Sequence, residues 1–109
     1  MTIVRVSVET VGEKTKIIFR AGEHHVKVHA IRRDKGFGVV NYLMTGSLCD
    51  ADGKAAPLGL KIHPAPHIEE INSLSPENVA ERVNAGLLAV VQRVLNAIEH
   101  EAADPFAAL

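Results

Sequence analysis

Two groups of residues in this chain have types and spacings that bear on chemistry. One is a run of cations and histidines between positions 5 and 33; the other is a set of histidines and carboxylates between positions 63 and 70. Within the first, the segment His24–Arg33 (HHVKVHAIRR) alternates basic with apolar side chains. On a strand, His25 and His29 share a face, but their Cα atoms then stand about 13 Å apart at about 3.3 Å per residue. Zinc–nitrogen bonds are about 2.0–2.1 Å long, so these two alone cannot hold one ion. His63 and His67 have a spacing that pairs ligands on a helix, yet Pro64 and Pro66 oppose a helix there. A metal site would need His25 or His29 to meet His63 or His67 across a sheet, with Glu69 or Glu70 beside them. Nothing in the sequence specifies that meeting, so no metal and no cofactor is expected.

Covalent catalysis has equally little support. Cys49 precedes Asp50 and Asp52, whose charges raise a thiol pKa and predict a packing cysteine, not a nucleophile. The chain contains no GxSxG, HExxH, GxGxxG or paired-cysteine motif. No catalytic residue is expected. A small metal-dependent enzyme built on His63, His67 and Glu69 or Glu70 is the weakest of the functional alternatives.

The cations form the strongest constellation. If the strand pattern holds, Arg5, Lys14, Lys16, Arg20, His25, Lys27, His29 and Arg33 project from one sheet face, with Ser7 as a further donor. Neighbouring strands lie about 4.8 Å apart, close enough for these charges to act as one field. Such a face suits nucleic acid or another polyanion, bound in a salt-sensitive way. Phe37 and Tyr42 could stack on bases, but there is no aromatic platform, which points to backbone or shape readout over base-specific readout. The competing reading is a solvated outer face, partly neutralised by Glu9 and Glu23, whose lysines guard edge strands.

The elements that would position these residues follow from periodicity. Residues 3–9 and 14–20 alternate as half-buried strands, with Val4, Val6 and Val8 inward and Arg5 outward. His24–Arg33 is a third strand, with Val26, Val28 and Ala30 inward. Residues 39–49 form a more apolar fourth, and 58–63 a fifth. Turn signals at Gly12, at 21–23, at DKGFG (34–38) and at DADG (50–53) make the arrangement an antiparallel meander over 1–63. A proline-containing connection covers 64–75. Ser75, Pro76 and Glu77 then start a helix over 76–103, and a short tail spans 104–109. The expected fold is α+β, in one domain: a meander of four to five strands with a C-terminal helix on one face.

The helix bears on self-association. Its apolar residues from Val79 to Ile98 cover an arc of about 180°, whereas one sheet face needs roughly 100°. The surplus flank predicts a homodimer or larger oligomer through Val83, Leu87, Leu88, Val91 and Leu95. Asn84 lies inside that arc, where it would fix a pairing register or reach water. A structural or assembly protein, such as a shell component or adaptor, is the second functional alternative. The order of elements is similar at fold level to that of small single-strand-binding transcription cofactors and of single-stranded RNA phage coat proteins. No motif matches either, and the likeness implies architecture only.

Bulk composition sets the frame. The 109 residues suit one domain. Residues 1–48 carry eight Lys/Arg against four Asp/Glu, and residues 49–109 four against nine, so a basic half precedes an acidic one. Charges at Arg82 and Arg93 interrupt the most apolar late segment, which excludes a membrane span there. The start MTIVRVSVET lacks the apolar core of a leader peptide. Cys49, the one cysteine, cannot form a disulfide within the chain, which points to a reducing, cytoplasmic setting. No small-molecule substrate is implied.

Overall fold

The computed structural model describes residues 2–54, 66–72 and 78–103. Five strands pair antiparallel in sequence order: β1 (Ile3–Val11), β2 (Lys14–Ala21), β3 (His24–Gly36), β4 (Val39–Cys49) and β5 (His67–Asn72). One helix, α1 (Val79–Ala103), packs on the sheet. The α+β meander-plus-helix expected from the sequence is the fold observed. Two-residue turns close the first three hairpins, at Gly12–Glu13, Gly22–Glu23 and Phe37–Gly38.

The core is one apolar layer between sheet and helix. Ile17, Phe19 and Ala21 of β2 and Val26, Val28 and Ala30 of β3 recur at every second position, so they share the helix-facing side. Met44 of β4 joins them, and Leu87, Val90, Val91, Val94 and Leu95 of α1 close over the top. Two glycines let the layers meet. A Cβ on Gly46 would lie 2.6 Å from Val90 Cγ1 and 3.1 Å from Val94 Cγ2. A Cβ on Gly86 would lie 3.0 Å from Met44 Sδ and 3.2 Å from His67 Cδ2. The helix therefore sits directly over β4 and β5.

Several expectations change. The fifth strand of the sheet is 67–72, inside the segment read as a proline-containing connection. Ile71 turns into the core there and pairs with Val40, while Ile68 and Glu70 face away. Pro64 and Pro66 suggested an irregular link, but both precede the strand and remove no hydrogen bond from it. The segment 58–63, the expected fifth strand, lies outside the described residues, as do the cap Ser75-Pro76-Glu77 and the tail 104–109. The helix begins at Val79, three residues later than expected. Asn78 precedes it at φ 62°, a left-handed conformation that asparagine tolerates, and its carbonyl accepts the Arg82 amide at 2.9 Å.

The apolar arc of α1 is also used differently. Leu87, Val91 and Leu95 are buried against the chain's own sheet, and Val83 and Leu88 are half-buried beside that core. A twisted, five-stranded sheet with glycine at the contact accepts a wider stripe than one flat face would. Three of the five expected interface residues are therefore used against the chain's own sheet, and two remain half-buried. The exposed large apolar side chains among the described residues lie elsewhere: Val4, Val6, Val8 and Val11 on β1, Phe37 in the β3–β4 turn, and Ile68 on β5.

Candidate polyanion-binding face

Residues opposite each other in a sheet share a face, so the register places each cation. On the side away from the helix, Lys16 stands between Glu9 and His29, and Arg20 stands opposite His25. Lys14 faces Val11 and Ile31, Lys27 lies between Ile18 and Ser47, and Arg33 lies opposite Asn41. Seven of the eight expected cations and histidines therefore share one face: Lys14, Lys16, Arg20, His25, Lys27, His29 and Arg33.

Arg5 is the exception. The pairing of β1 with β2 shifts between Arg5 and Ser7, leaving Val6 as an extra residue. A bulge of this kind reverses which side chains face which way. Arg5 lands opposite Phe19, on the helix side, and donates through Nη2 to Asn84 Oδ1 at 3.1 Å. Plain alternation had put it on the outer face and put Val4, Val6 and Val8 in the core; all three valines are exposed. Asn84 thus ties α1 to the edge strand.

The outer face is not uniformly open. After β4 the chain turns through Asp50–Lys54 and lies back across β2 and β3. Asp50 Oδ1 accepts the amides of Asp52 and Lys54, each at 2.9 Å, which closes the turn. Gly53 then sits so close to Ile18 that an added Cβ would be 2.9 Å from Ile18 Cδ1. Its carbonyl accepts from Lys27 Nζ at 3.0 Å. Ile18 and Cys49 are buried although they point away from the helix. The turn therefore holds Lys27 in place and covers part of the face. Cys49 is a free, buried thiol, pushed up by burial and by Asp50 and partly offset by Lys27, so it is poorly suited to nucleophilic chemistry.

The open part is a shallow depression lined by Glu9, Val11, Lys14, Lys16 and His29. Lys16 Nζ lies 3.5 Å from Glu9 Oε2, an exposed pair that contributes about 0–1 kcal/mol. His29 responds to the field of the face. Burial holds its pKa below the usual histidine value, and repulsion from Lys14, Lys27 and Lys16 lowers it further. At neutral pH it is an uncharged imidazole among three ammonium groups.

The second set of candidates forms a different structure. His67 and Glu69 lie on the helix side of β5, opposite Met44 and Tyr42. His67 Nε2 and Glu69 Oε2 are 3.0 Å apart, and Arg82 Nε donates to Glu69 Oε1 at 2.9 Å. Arg82 Nη2 also donates to the Glu70 carbonyl at 2.6 Å. The histidine hydrogen bond, together with Arg82, holds the Glu69 carboxyl below its usual range. This network ties the first turn of α1 to β5, and it occupies both carboxylate oxygens. Glu70 faces the other side of the sheet, so the adjacent carboxylates do not form a pair. His63 lies outside the described residues. Among the described residues no three His, Cys, Asp or Glu side chains are grouped to hold a metal ion.

Sequence alternation found the basic face but missed the Val6 bulge, the covering turn and the Glu69 network. Tyr42 faces Arg32 and Glu69 and packs beside the core, so it is not on the basic face. No described helix is long and apolar enough to cross a membrane. No protein-family model matches the chain, and no curated protein or solved structure matches it at a significant level.

Proposed function

We propose that this protein is a non-enzymatic binding module that presents the outer face of β2 and β3 to the phosphate backbone of nucleic acid. The carrying observation is the register. It sets Lys16 directly opposite His29, and Arg20 directly opposite His25. Neither pair joins opposite charges, and His29 is uncharged at neutral pH, so neither adds an ion pair to the sheet. The fold gains nothing from placing them so, whereas a phosphate lying between two strands would interact with both. The lowered pKa of His29 supports a shared positive field at this point. Lys14, Lys16, Arg20 and Arg33 are the principal backbone contacts in this reading. His29 gains charge on acidification, and Lys27 contributes through its fixed position.

The test is binding of a labelled oligonucleotide, followed by anisotropy, with the Lys14→Glu/Lys16→Glu double variant as comparison. Loss of binding with an unchanged melting temperature supports the proposal. Binding by the variant equal to that of the original chain would remove it.

A second reading, self-association for a structural role, is favoured by β1. That strand is the edge of the sheet among the described residues, and its Val4, Val6, Val8 and Val11 are 41–74% exposed. Oligomers in this reading form through the edge and not through α1. Light scattering that shows a dimer, and a monomer for Val8→Lys, would support it; a monomer at all concentrations would remove it.

A further inference from the structure

The β3–β4 turn holds an aromatic side chain that the fold does not use. Phe37 is 100% exposed and has φ 56°, in the left-handed region that bulky residues avoid. With Gly38, at φ 78°, it forms the two-residue loop between the paired Gly36 and Val39. Loops with both residues at positive φ favour asparagine, aspartate or glycine. Beside the turn the β3–β4 register shifts between Asp34 and Gly36, leaving Lys35 as an extra residue, and Asp34 Oδ1 accepts the Gly36 amide at 2.8 Å. Phe37 thus contributes no packing and opposes the preference of its own backbone.

Its position narrows the function. The outward side chains of β3 are His25, Lys27, His29, Ile31 and Arg33, spaced about 6.6 Å apart along the strand. This row leads from the basic face towards the loop. The last residue of β3 opposite β2 is Ile31, so the hairpin runs past β2, with Arg33 exposed on the outward row and Arg32 exposed on the other side. Cations followed by an accessible aromatic ring, here Lys27 and Arg33 on β3 and Phe37 in the loop, are how single strands are held, phosphates on the cations and a base on the ring. A paired duplex offers no free base face to such a ring.

We infer that Phe37 is a stacking residue for an unpaired base of single-stranded nucleic acid whose backbone lies along β3. The inference rests on the polyanion reading above and adds the strand class that the site prefers. Stacking of this kind tolerates any base, so the preference is for single strands over duplex and not for a sequence.

Phe37→Asn suits the turn's backbone and leaves every cation in place. Binding is measured by anisotropy with a labelled oligothymidylate of about 20 nucleotides and with a duplex of similar length. The expected result is a loss of about 5- to 150-fold for the single strand, the range for one stacked base. Duplex affinity and the salt dependence of both stay unchanged. If the variant binds oligothymidylate like the original chain, while Lys14→Glu/Lys16→Glu abolishes binding, the stacking role is overturned and the basic face stands. If the original chain binds neither probe, both fall. If Phe37→Asn loses adsorption to phosphatidylserine vesicles but keeps its oligothymidylate affinity, the ring serves a lipid surface and the inference is overturned.

Discussion

Replacing Lys16 with glutamine should reduce the salt sensitivity of single-strand binding by one phosphate contact and leave the fold intact. Lys16 lines the open depression, opposite His29, with Glu9 at 3.5 Å. Both ends of that ion pair are exposed, so its loss costs about 0–1 kcal/mol. Relief of the repulsion on His29 adds stability only at acid pH, where that imidazole takes a proton. Log affinity for a single strand falls with log salt by about 0.7 per neutralised phosphate. With Lys14, Lys16, Arg20 and Arg33 engaged, the slope is about −2.8, and without Lys16 about −2.1. Between about 50 and 200 mM salt the original chain then loses about 50-fold in affinity and the variant about 20-fold. Anisotropy titrations across that range measure both slopes. A second readout needs no ligand: the His29 pKa, followed by NMR, should rise in Lys16→Gln. An unchanged slope together with an unchanged His29 titration would refute the account of the face.

Other predictions follow from single contacts. Arg5→Gln should leave oligonucleotide affinity unchanged, because Arg5 bonds to Asn84 on the helix side; a loss equal to that of Lys16→Gln would put Arg5 back on the binding face. Gly46→Ala should destabilise the protein by about 1–3 kcal/mol in urea denaturation, since its Cβ would meet Val90 at 2.6 Å. Glu69 has a lowered native pKa, so its contribution is present above the usual carboxylate value of 4.5 and is lost as pH falls through the lowered native value. Glu69→Gln should flatten that acid limb in pH-dependent melting. His29 is a base with a lowered native pKa, so the unfolded chain takes its proton first, and stability falls as pH drops below 6.5 towards the native value. His29→Gln should remove that component.

The sheet was legible in the sequence wherever alternation and turn chemistry agreed. Ile17, Phe19, Val26 and Val28 sit in the core as their period of two requires, and the glycine turns lie between the paired strands. Seven of the basic residues share a face for the same reason. What escaped notice depends on events that carry no local signal. A single extra residue at Val6 reverses Arg5, and β-branched alternation reads the same with or without it. The Asp50–Lys54 turn was visible as a turn, but its fall across Ile18 and Lys27 is a tertiary contact. Residues 67–72 do alternate, with Ile71 inward, yet two nearby prolines outweighed that short pattern. The helix stripe was read against one idealised flat face, whereas Gly46 and Gly86 let α1 sit deep enough to use Leu87, Val91 and Leu95 at home. Phe37 was visible as an aromatic in a glycine turn, but its positive φ and complete exposure come only from the structure.

The most direct test of the central claim is to titrate the isotopically labelled protein with unlabelled oligothymidylate and follow the NMR spectrum. The account predicts shifts at Lys14, Lys16 and Arg20, along His25 to Arg33 and at Phe37, with the His29 imidazole gaining a proton as phosphate counters its lysine neighbours. Shifts confined to β1 or α1, or a spectrum unchanged by the oligonucleotide, would contradict it.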